Sequence, residues 1–154
     1  MKCLIVSVGK KHDSDLARTI VQYESRLQPW MPTTWRLLEA IDKPTKEQQN
    51  QAEGEAILAC LQPDDTIIAL DEHGTEATTE MLARHIDTWQ QAGKKRVVFV
   101  IGGAYGLSTA VLQRAQLKLA LSQLTFPHQL VRLILIEQLY RTQALLHNHP
   151  YHHK

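Results

Sequence analysis

Two short turns in the second half of the chain have the residue types of a small-molecule site. Gly102, Gly103 and Gly106 follow the apolar run 97–101, and the serine-, threonine- and proline-containing turn 122–128 follows a second apolar segment. Glycine has no Cβ, so the first turn can bring its backbone close to a ligand. Ligands of open parallel sheets bind beyond the carboxyl ends of the strands. Both turns are predicted to lie at such ends.

The glycine turn does not match the common phosphate-binding motifs. A dinucleotide fingerprint should follow the first strand, but Val8, Gly9, Lys10 and Lys11 stand there instead, and the chain has no P-loop. The pattern therefore indicates a different cofactor.

Hydrophobic periodicity predicts strands and helices in regular alternation. This order is typical of a single α/β domain, residues 1–154, with a parallel-type sheet and helices on both faces. The segment 71–78 is polar around Gly74 and is predicted to be a loop. The predicted strands are 2–8, 33–40, 66–70, 97–101 and 118–121, and the predicted helices are 15–28, 45–61, 79–91, 109–115 and 129–147.

The last predicted helix, 129–147, is apolar around nearly its whole circumference. Such a helix needs burial on more than one side. One side can lie on the sheet, and a second copy of the chain in a twofold dimer most simply covers the other. The alternative is a central helix of a monomer.

The net charge of +1 conceals an asymmetry between the two parts of the chain. Residues 1–93 carry 9 Lys and Arg against 15 Asp and Glu, whereas residues 94–154 carry 8 Lys and Arg against one acid, Glu137. This distribution suggests that the second part faces a polyanion. Equally, the two parts can neutralise each other within one fold or across a dimer.

The C-terminal residues 147–154 contain four histidines, interrupted by Asn148, Pro150 and Tyr151. Without nearby cysteines or carboxylates the pattern does not favour a metal site. Contact with bases and phosphates suits these residue types better, and a frayed terminus is the alternative. Cys3 and Cys60 are expected to be buried, reduced thiols, and the absence of a membrane-length apolar run or signal peptide predicts a cytoplasmic protein.

Several short segments, in this order, resemble one known family. They are Leu70-Asp71, the segment 100–103 followed by 106–108, the segment 124–128, the segment 137–141 and the segment 148–152. On these segments the chain resembles the bacterial ribosomal RNA large subunit methyltransferase H family, of the SPOUT class. The resemblance covers essentially the whole chain and departs from the family pattern locally at Ala104-Tyr105.

The resemblance implies S-adenosylmethionine as methyl donor, a homodimer and a C-terminal trefoil knot in which the donor is held. The implied acceptor is N3 of a pseudouridine in large-subunit (23S) rRNA, in the assembled ribosome. The implied donor contacts are Leu70, Gly102, Gly103, Ser122, Gln123, Leu124, Thr125, Phe126 and Pro127.

Methylation of an imide nitrogen requires loss of its proton, which a base would accept and a cation would favour. His128, Glu137 and His149 are candidate bases by residue type, and Arg141 is the candidate cation. Tyr151 is a candidate for stacking on the target base, and His152 for a phosphate contact. Glu137 and Arg141 are four residues apart on a helix, so an ordinary ion pair is the alternative reading.

Two other functions remain open from the residues alone. A non-catalytic ribosome-binding or assembly factor would use the same basic part of the chain without a methyl donor. A nucleotide-binding domain of flavodoxin type would instead have its site in the loop 9–15.

Overall fold

The computed structural model describes residues 1–151, which form five parallel strands alternating with five helices. The strand order in the sheet is β2-β1-β4-β3-β5. The strands are β1 (Lys2–Val8), β2 (Thr33–Leu38), β3 (Thr66–Glu76), β4 (Arg96–Ile101) and β5 (Leu117–Ala120). The helices are α1 (Ser14–Leu27), α2 (Lys46–Leu58), α3 (Thr79–Gln91), α4 (Thr109–Arg114) and α5 (His128–Leu146).

The central strands are buried on both faces, as their uninterrupted apolar sequences predict. Side chains on one face, such as Ile5 and Phe99, pack with α1, α3 and α5. Side chains on the other face, such as Val6 and Val98, pack with Ile57 of α2 and with α4. The parallel α/β fold with helices on both faces is therefore confirmed.

The structure corrects the predicted end of β3. The strand does not stop at Leu70 but continues to Glu76, and its register against β5 shifts between Leu70 and Thr75. Gly74 lies against the backbone of Lys118, where a Cβ would come within 2.7 Å of the Lys118 carbonyl carbon. The sequence did not predict this extension because its side chains are polar. The extension is a strand by virtue of main-chain pairing with β5, not by apolar burial.

Helix α5 packs against both α1 and α3 within the same chain. Leu135, Ile136 and Leu139 are completely buried in this contact. Arg132, in the middle of the apolar sequence, is also completely buried. Much of the apolar surface of α5 is therefore covered without a second copy of the chain.

Three of the cations in the second part of the chain make contacts inside the fold. Arg96 bonds Asp65 of the acidic part with an Nη2–Oδ2 distance of 2.5 Å, Arg141 pairs with Glu137, and Arg132 is buried. Only the Arg96–Asp65 pair crosses between the two parts, because Glu137 belongs to the same part as Arg141 and the acceptors of Arg132 are neutral. One pair thus supports neutralisation within one subunit, which was the alternative to a polyanion-binding face.

The cysteines are unpaired, but only Cys3 is fully buried, and burial raises the pKa of its thiol to about 12. Cys60 is half-buried, so the prediction of burial was wrong for this residue. None of the helices within residues 1–151 is both long enough and apolar enough to cross a membrane.

Candidate active site

A cavity of about 350 Å³ opens at the carboxyl ends of β4 and β5, beside the point after Leu70 where the register of β3 shifts. Its volume is within the range of small-molecule pockets. Its walls come from residues 70–72 of β3, the glycine turn, the 122–127 turn and the first residues of α5. The lining residues are Leu70, Asp71, Glu72, Ile101, Gly102, Gly103, Ala104, Gly106, Leu107, Leu119, Leu121, Ser122, Leu124, Thr125, Phe126, Pro127, His128 and Val131.

The cavity brings together eight of the nine residues expected to contact the donor. The exception is Gln123, which does not line it. In the 122–127 turn the Leu124 amide donates to Ser122 Oγ at 3.0 Å, and the Leu124 side chain is 72% exposed. An apolar side chain held at the mouth of a cavity is available to cover an apolar part of a ligand.

The glycine turn is tight and is attached to α2. The Gly106 amide donates to the Gly103 carbonyl at 3.2 Å, and Gly106 has a φ of +72°. A Cβ on Gly102 would lie 2.6 Å from the Gly106 carbonyl group, so glycine is required there. The Asn50 amide group donates to the Tyr105 and Gly106 carbonyls, each at 3.2 Å. These contacts hold the backbone of the turn against the cavity.

Gly103 is packed closely on its far side, which the sequence did not indicate. A Cβ at this position would lie 2.7 Å from Oε2 of Glu53 and 3.1 Å from Cγ1 of Val8. From the sequence we expected that a side chain here would occupy the space of a ligand. In the structure it would instead press against α2 and β1.

His128 is the candidate base that lines the cavity. Burial lowers the pKa of its imidazole, the charge of Arg132 lowers it further, and the charge of Glu53 raises it. The ring is thus biased towards the neutral form, which is the form that accepts a proton.

Arg132 fixes the start of α5 against the end of β1. Its guanidinium donates to Ser7 Oγ at 2.9 Å and to the carbonyls of Val8, Gly9 and Lys11 at 2.8, 2.9 and 2.7 Å. All of these acceptors are neutral. The first turn of α5, which carries His128, is therefore anchored to the sheet by charge-assisted hydrogen bonds.

The other four candidate residues form a second cluster with the C-terminal half of α5. Arg141 donates to Glu137 Oε1 from Nη2 at 2.6 Å, and the Tyr151 hydroxyl donates to the same oxygen at 3.1 Å. The Arg141 guanidinium lies 5.0 Å from the centre of the Tyr151 ring. His149 makes edge contacts with the rings of Trp30 and Tyr140.

Tyr151 is well held in this second cluster. Its hydroxyl lies 3.0 Å from the hydroxyl of Tyr23, and its ring packs edge-on against Tyr140 at 4.6 Å. Burial raises the pKa of Tyr151, as do the hydrogen bond with Tyr23 and the charge of Glu137. The phenol therefore stays protonated at neutral pH. His152 lies outside the described residues.

The two groups of candidates are well separated along α5. At 1.5 Å per residue, the helix rises about 20 Å between His128 and Arg141. Within one subunit, His128 therefore lines the cavity. A separate cluster, which does not line it, is formed by Glu137, Arg141, His149 and Tyr151.

Two buried charged residues near the cavity, Glu53 and Arg132, were missed by the sequence reasoning. The signal for Glu53 was the neighbouring Gly54, since glycine inside a helix is unfavourable unless a close contact requires it. A Cβ on Gly54 would collide with Ser108. The signal for Arg132 was a cation flanked on both sides by the apolar residues of α5, Leu130 and Val131 before it and the run from Leu133 to Ile136 after it.

Comparisons with known proteins identify the family of this chain. The model of a family described as "Predicted SPOUT methyltransferase" matches residues 1–152. Two relatives are named "Ribosomal RNA large subunit methyltransferase H". The one from Parabacteroides distasonis is 39% identical, covering 100% of both chains, and the one from Bacillus pumilus is 41% identical, covering 99% of both.

A solved structure shares the fold. It is a probable methylase family protein from Haemophilus influenzae, with a TM-score of 0.54 and 15% identity, and the match covers 99% of this chain and 70% of that one. The resemblance drawn from the sequence motifs is thus confirmed, and the chain belongs to the SPOUT methyltransferase family.

Proposed function

We propose that the protein is an S-adenosylmethionine-dependent methyltransferase that acts on N3 of a pseudouridine in large-subunit rRNA of the assembled ribosome. The observation that carries the proposal is the cavity at the strand ends, lined by the glycine turn, the 122–127 turn and His128. The full-length similarity to relatives named as large-subunit rRNA methyltransferases supports the substrate.

The cavity fits the methyl donor in size and in lining. Leu70, Phe126 and Leu124 offer apolar surface for an adenine ring, and the glycine turn offers backbone amides and carbonyls without intervening side chains. When bound, S-adenosylmethionine supplies an electrophilic methyl group on a positively charged sulfur.

The residues of this chain then have two tasks. The turns hold donor and acceptor in line, because a displacement at a methyl carbon depends on alignment rather than on covalent catalysis. A base must also accept the N3 proton. We assign this role to His128, because it lines the cavity within one subunit and its lowered pKa favours the neutral ring that accepts a proton.

A homodimer would supply the residues that one subunit keeps away from its own cavity. Glu137, Arg141, His149 and Tyr151 are grouped with each other, about 20 Å along α5 from His128. In a twofold dimer built on α5, the tail of one subunit can approach the cavity of its partner. Arg141 would then favour the N3 anion, and Tyr151 would stack on the target base.

We propose further that residues 1–154 act as one domain in the cytoplasm, where the ribosomal substrate is located, and that the chain after β5 forms the trefoil knot implied by the family. The similarity to the SPOUT methyltransferase family supports the knot.

The first test is calorimetry with S-adenosylmethionine, combined with mass spectrometry of 23S rRNA from a deletion strain. We expect saturable donor binding and loss of one methyl group from a pseudouridine-containing fragment. Donor binding without any change in rRNA mass would reject the substrate, and absence of donor binding would favour a non-catalytic ribosome-binding factor.

The second test is truncation after Asn148, which removes Tyr151 but leaves the cavity intact. We expect donor affinity and the dimer mass in solution to be unchanged and methylation of ribosomes to be abolished. Survival of methylation would exclude the proposed role of the tail, and a monomeric mass for the full chain would exclude the dimer.

A further inference from the structure

The aromatic ring of Tyr105 is exposed beside the cavity, and no role assigned so far uses it. Its side chain is 45% exposed, although most large apolar side chains within residues 1–151 are covered. The neighbouring residues Ala104 and Gly106 both line the cavity, whereas Tyr105 does not. The ring therefore stands next to the space that the donor would fill, not inside it.

The backbone that carries this ring is held in place. The Asn50 amide group donates to the carbonyls of Tyr105 and Gly106, each at 3.2 Å, and the Gly106 amide donates to the Gly103 carbonyl at 3.2 Å. A tyrosine on a fixed turn loses little conformational freedom when a flat partner stacks on it, because its side chain has only two torsions. The turn thus presents the ring ready for such a partner.

The contacts of the Tyr105 side chain leave most of its binding capacity unused. The ammonium of Lys46 lies over the ring, 5.3 Å from its centre. Within residues 1–151 the ring packs on no other aromatic ring, and its hydroxyl makes no hydrogen bond. The ring face away from Lys46 is therefore available for stacking.

The charge beside the ring is positive. Lys46 is exposed at the start of α2 and forms no ion pair with a carboxylate in the described part of the chain, including its neighbour Glu47. The acids that line the cavity, Asp71 and Glu72, belong to β3 and not to the glycine turn. An exposed ring with a free cation suits a nucleotide, because any base can stack on the ring and an ammonium binds phosphate as a point charge.

We propose that Tyr105 binds rRNA by stacking on an unpaired base next to the target nucleotide, while Lys46 binds a phosphate of the same strand. This proposal rests on the proposed function. Sequence-tolerant recognition of RNA commonly uses unpaired bases stacked on aromatic side chains. Because the ring and the cavity share one turn, a base on Tyr105 brings the adjoining nucleotide to the mouth of the cavity. The contact is made equally before and during methyl transfer, so it strengthens binding of the ribosome without speeding the chemical step.

The direct test is photo-crosslinking of ribosomes with the full chain, using the Tyr105→p-benzoylphenylalanine variant. Met81→p-benzoylphenylalanine is the matched control, since Met81 is 42% exposed and lies on α3, on the opposite face of the sheet from α2. We expect position 105 to crosslink to 23S rRNA close to the methylated pseudouridine, and position 81 to give no such crosslink. Crosslinks from position 105 only to protein, including a second copy of this chain, or no crosslinks at all, would overturn the proposal.

Ribosome methylation gives the second readout. We expect Tyr105→Ala to raise the KM for ribosomes about tenfold and to change kcat by less than about twofold. Tyr105→Phe keeps the ring and Met81→Ala leaves it untouched, so both should stay within about twofold of the wild type. The affinity for S-adenosylmethionine in calorimetry should be unchanged in all three variants. A merely structural role of Tyr105 in the turn would instead lower kcat and weaken donor binding, which would also overturn the proposal.

The phosphate contact has its own readout in the salt dependence of ribosome binding. Lys46→Gln should reduce the slope of log KM against log salt concentration by about one, whereas Tyr105→Ala should leave this slope unchanged. An unchanged slope in Lys46→Gln would remove Lys46 from the proposal. If the wild-type protein does not methylate rRNA, the proposed function fails, while the crosslinking still decides whether Tyr105 contacts rRNA.

Discussion

Replacing Arg132 with methionine should destabilise the protein by about 2–4 kcal/mol, because the guanidinium is the hydrogen-bond donor for the end of β1. The Ser7 hydroxyl and the Val8 carbonyl both accept from it inside the core. Leaving each without a donor costs about 1–3 kcal/mol, or about 2–6 kcal/mol together. Methionine offsets part of this, since it fills much of the same volume and removes a buried cation.

The measurement is urea unfolding at 25 °C, in which the midpoint should fall while the slope with denaturant stays the same. The matched control is Arg114→Met. Arg114 also donates to two carbonyls, those of Gln62 and Pro63, but at exposed positions where water can replace it. The control should change stability by at most about 1 kcal/mol. A loss below about 1 kcal/mol for Arg132→Met, or one no larger than that of the control, would refute the reasoning.

Three further predictions follow from individual contacts. Gly103→Ala should weaken binding of S-adenosylmethionine in calorimetry at least tenfold, because the new methyl group displaces Glu53 and moves the cavity wall; unchanged affinity would contradict this. Although burial alone would raise the pKa of Asp65, its hydrogen bond with Arg96 holds that pKa below its usual value. The ion pair therefore adds stability that is fully present above about pH 4 and is lost as the pH falls further, so urea unfolding at pH 6 and pH 3 should show a smaller acid-induced loss in Asp65→Asn than in the wild type. Leu124→Ala should leave the free energy of unfolding within about 0.5 kcal/mol of wild type, since the side chain is exposed, but it should lower the affinity for the donor. Equal affinity would show that this residue does not cover the ligand.

The sequence was sufficient to predict the layered α/β architecture. Runs such as 97–101 are apolar without interruption because parallel strands are buried on both faces, and the intervening segments have helical periodicity. The polar extension of β3 escaped this reasoning. Its pairing with β5 depends on backbone contacts such as that of Gly74, which leave no periodic signal in the side chains.

The sequence by itself also indicated the two turns that line the cavity, since their residue types suit a ligand site and loops that follow parallel strands lie at one end of the sheet. Only the tertiary structure decided which charged groups stand behind that cavity. Glu53 and Arg132 reach it from helices on opposite faces of the sheet, and no local pattern records a contact across a sheet. The same holds for Tyr151, whose separation from the cavity depends on the length of α5 and on its packing against α1.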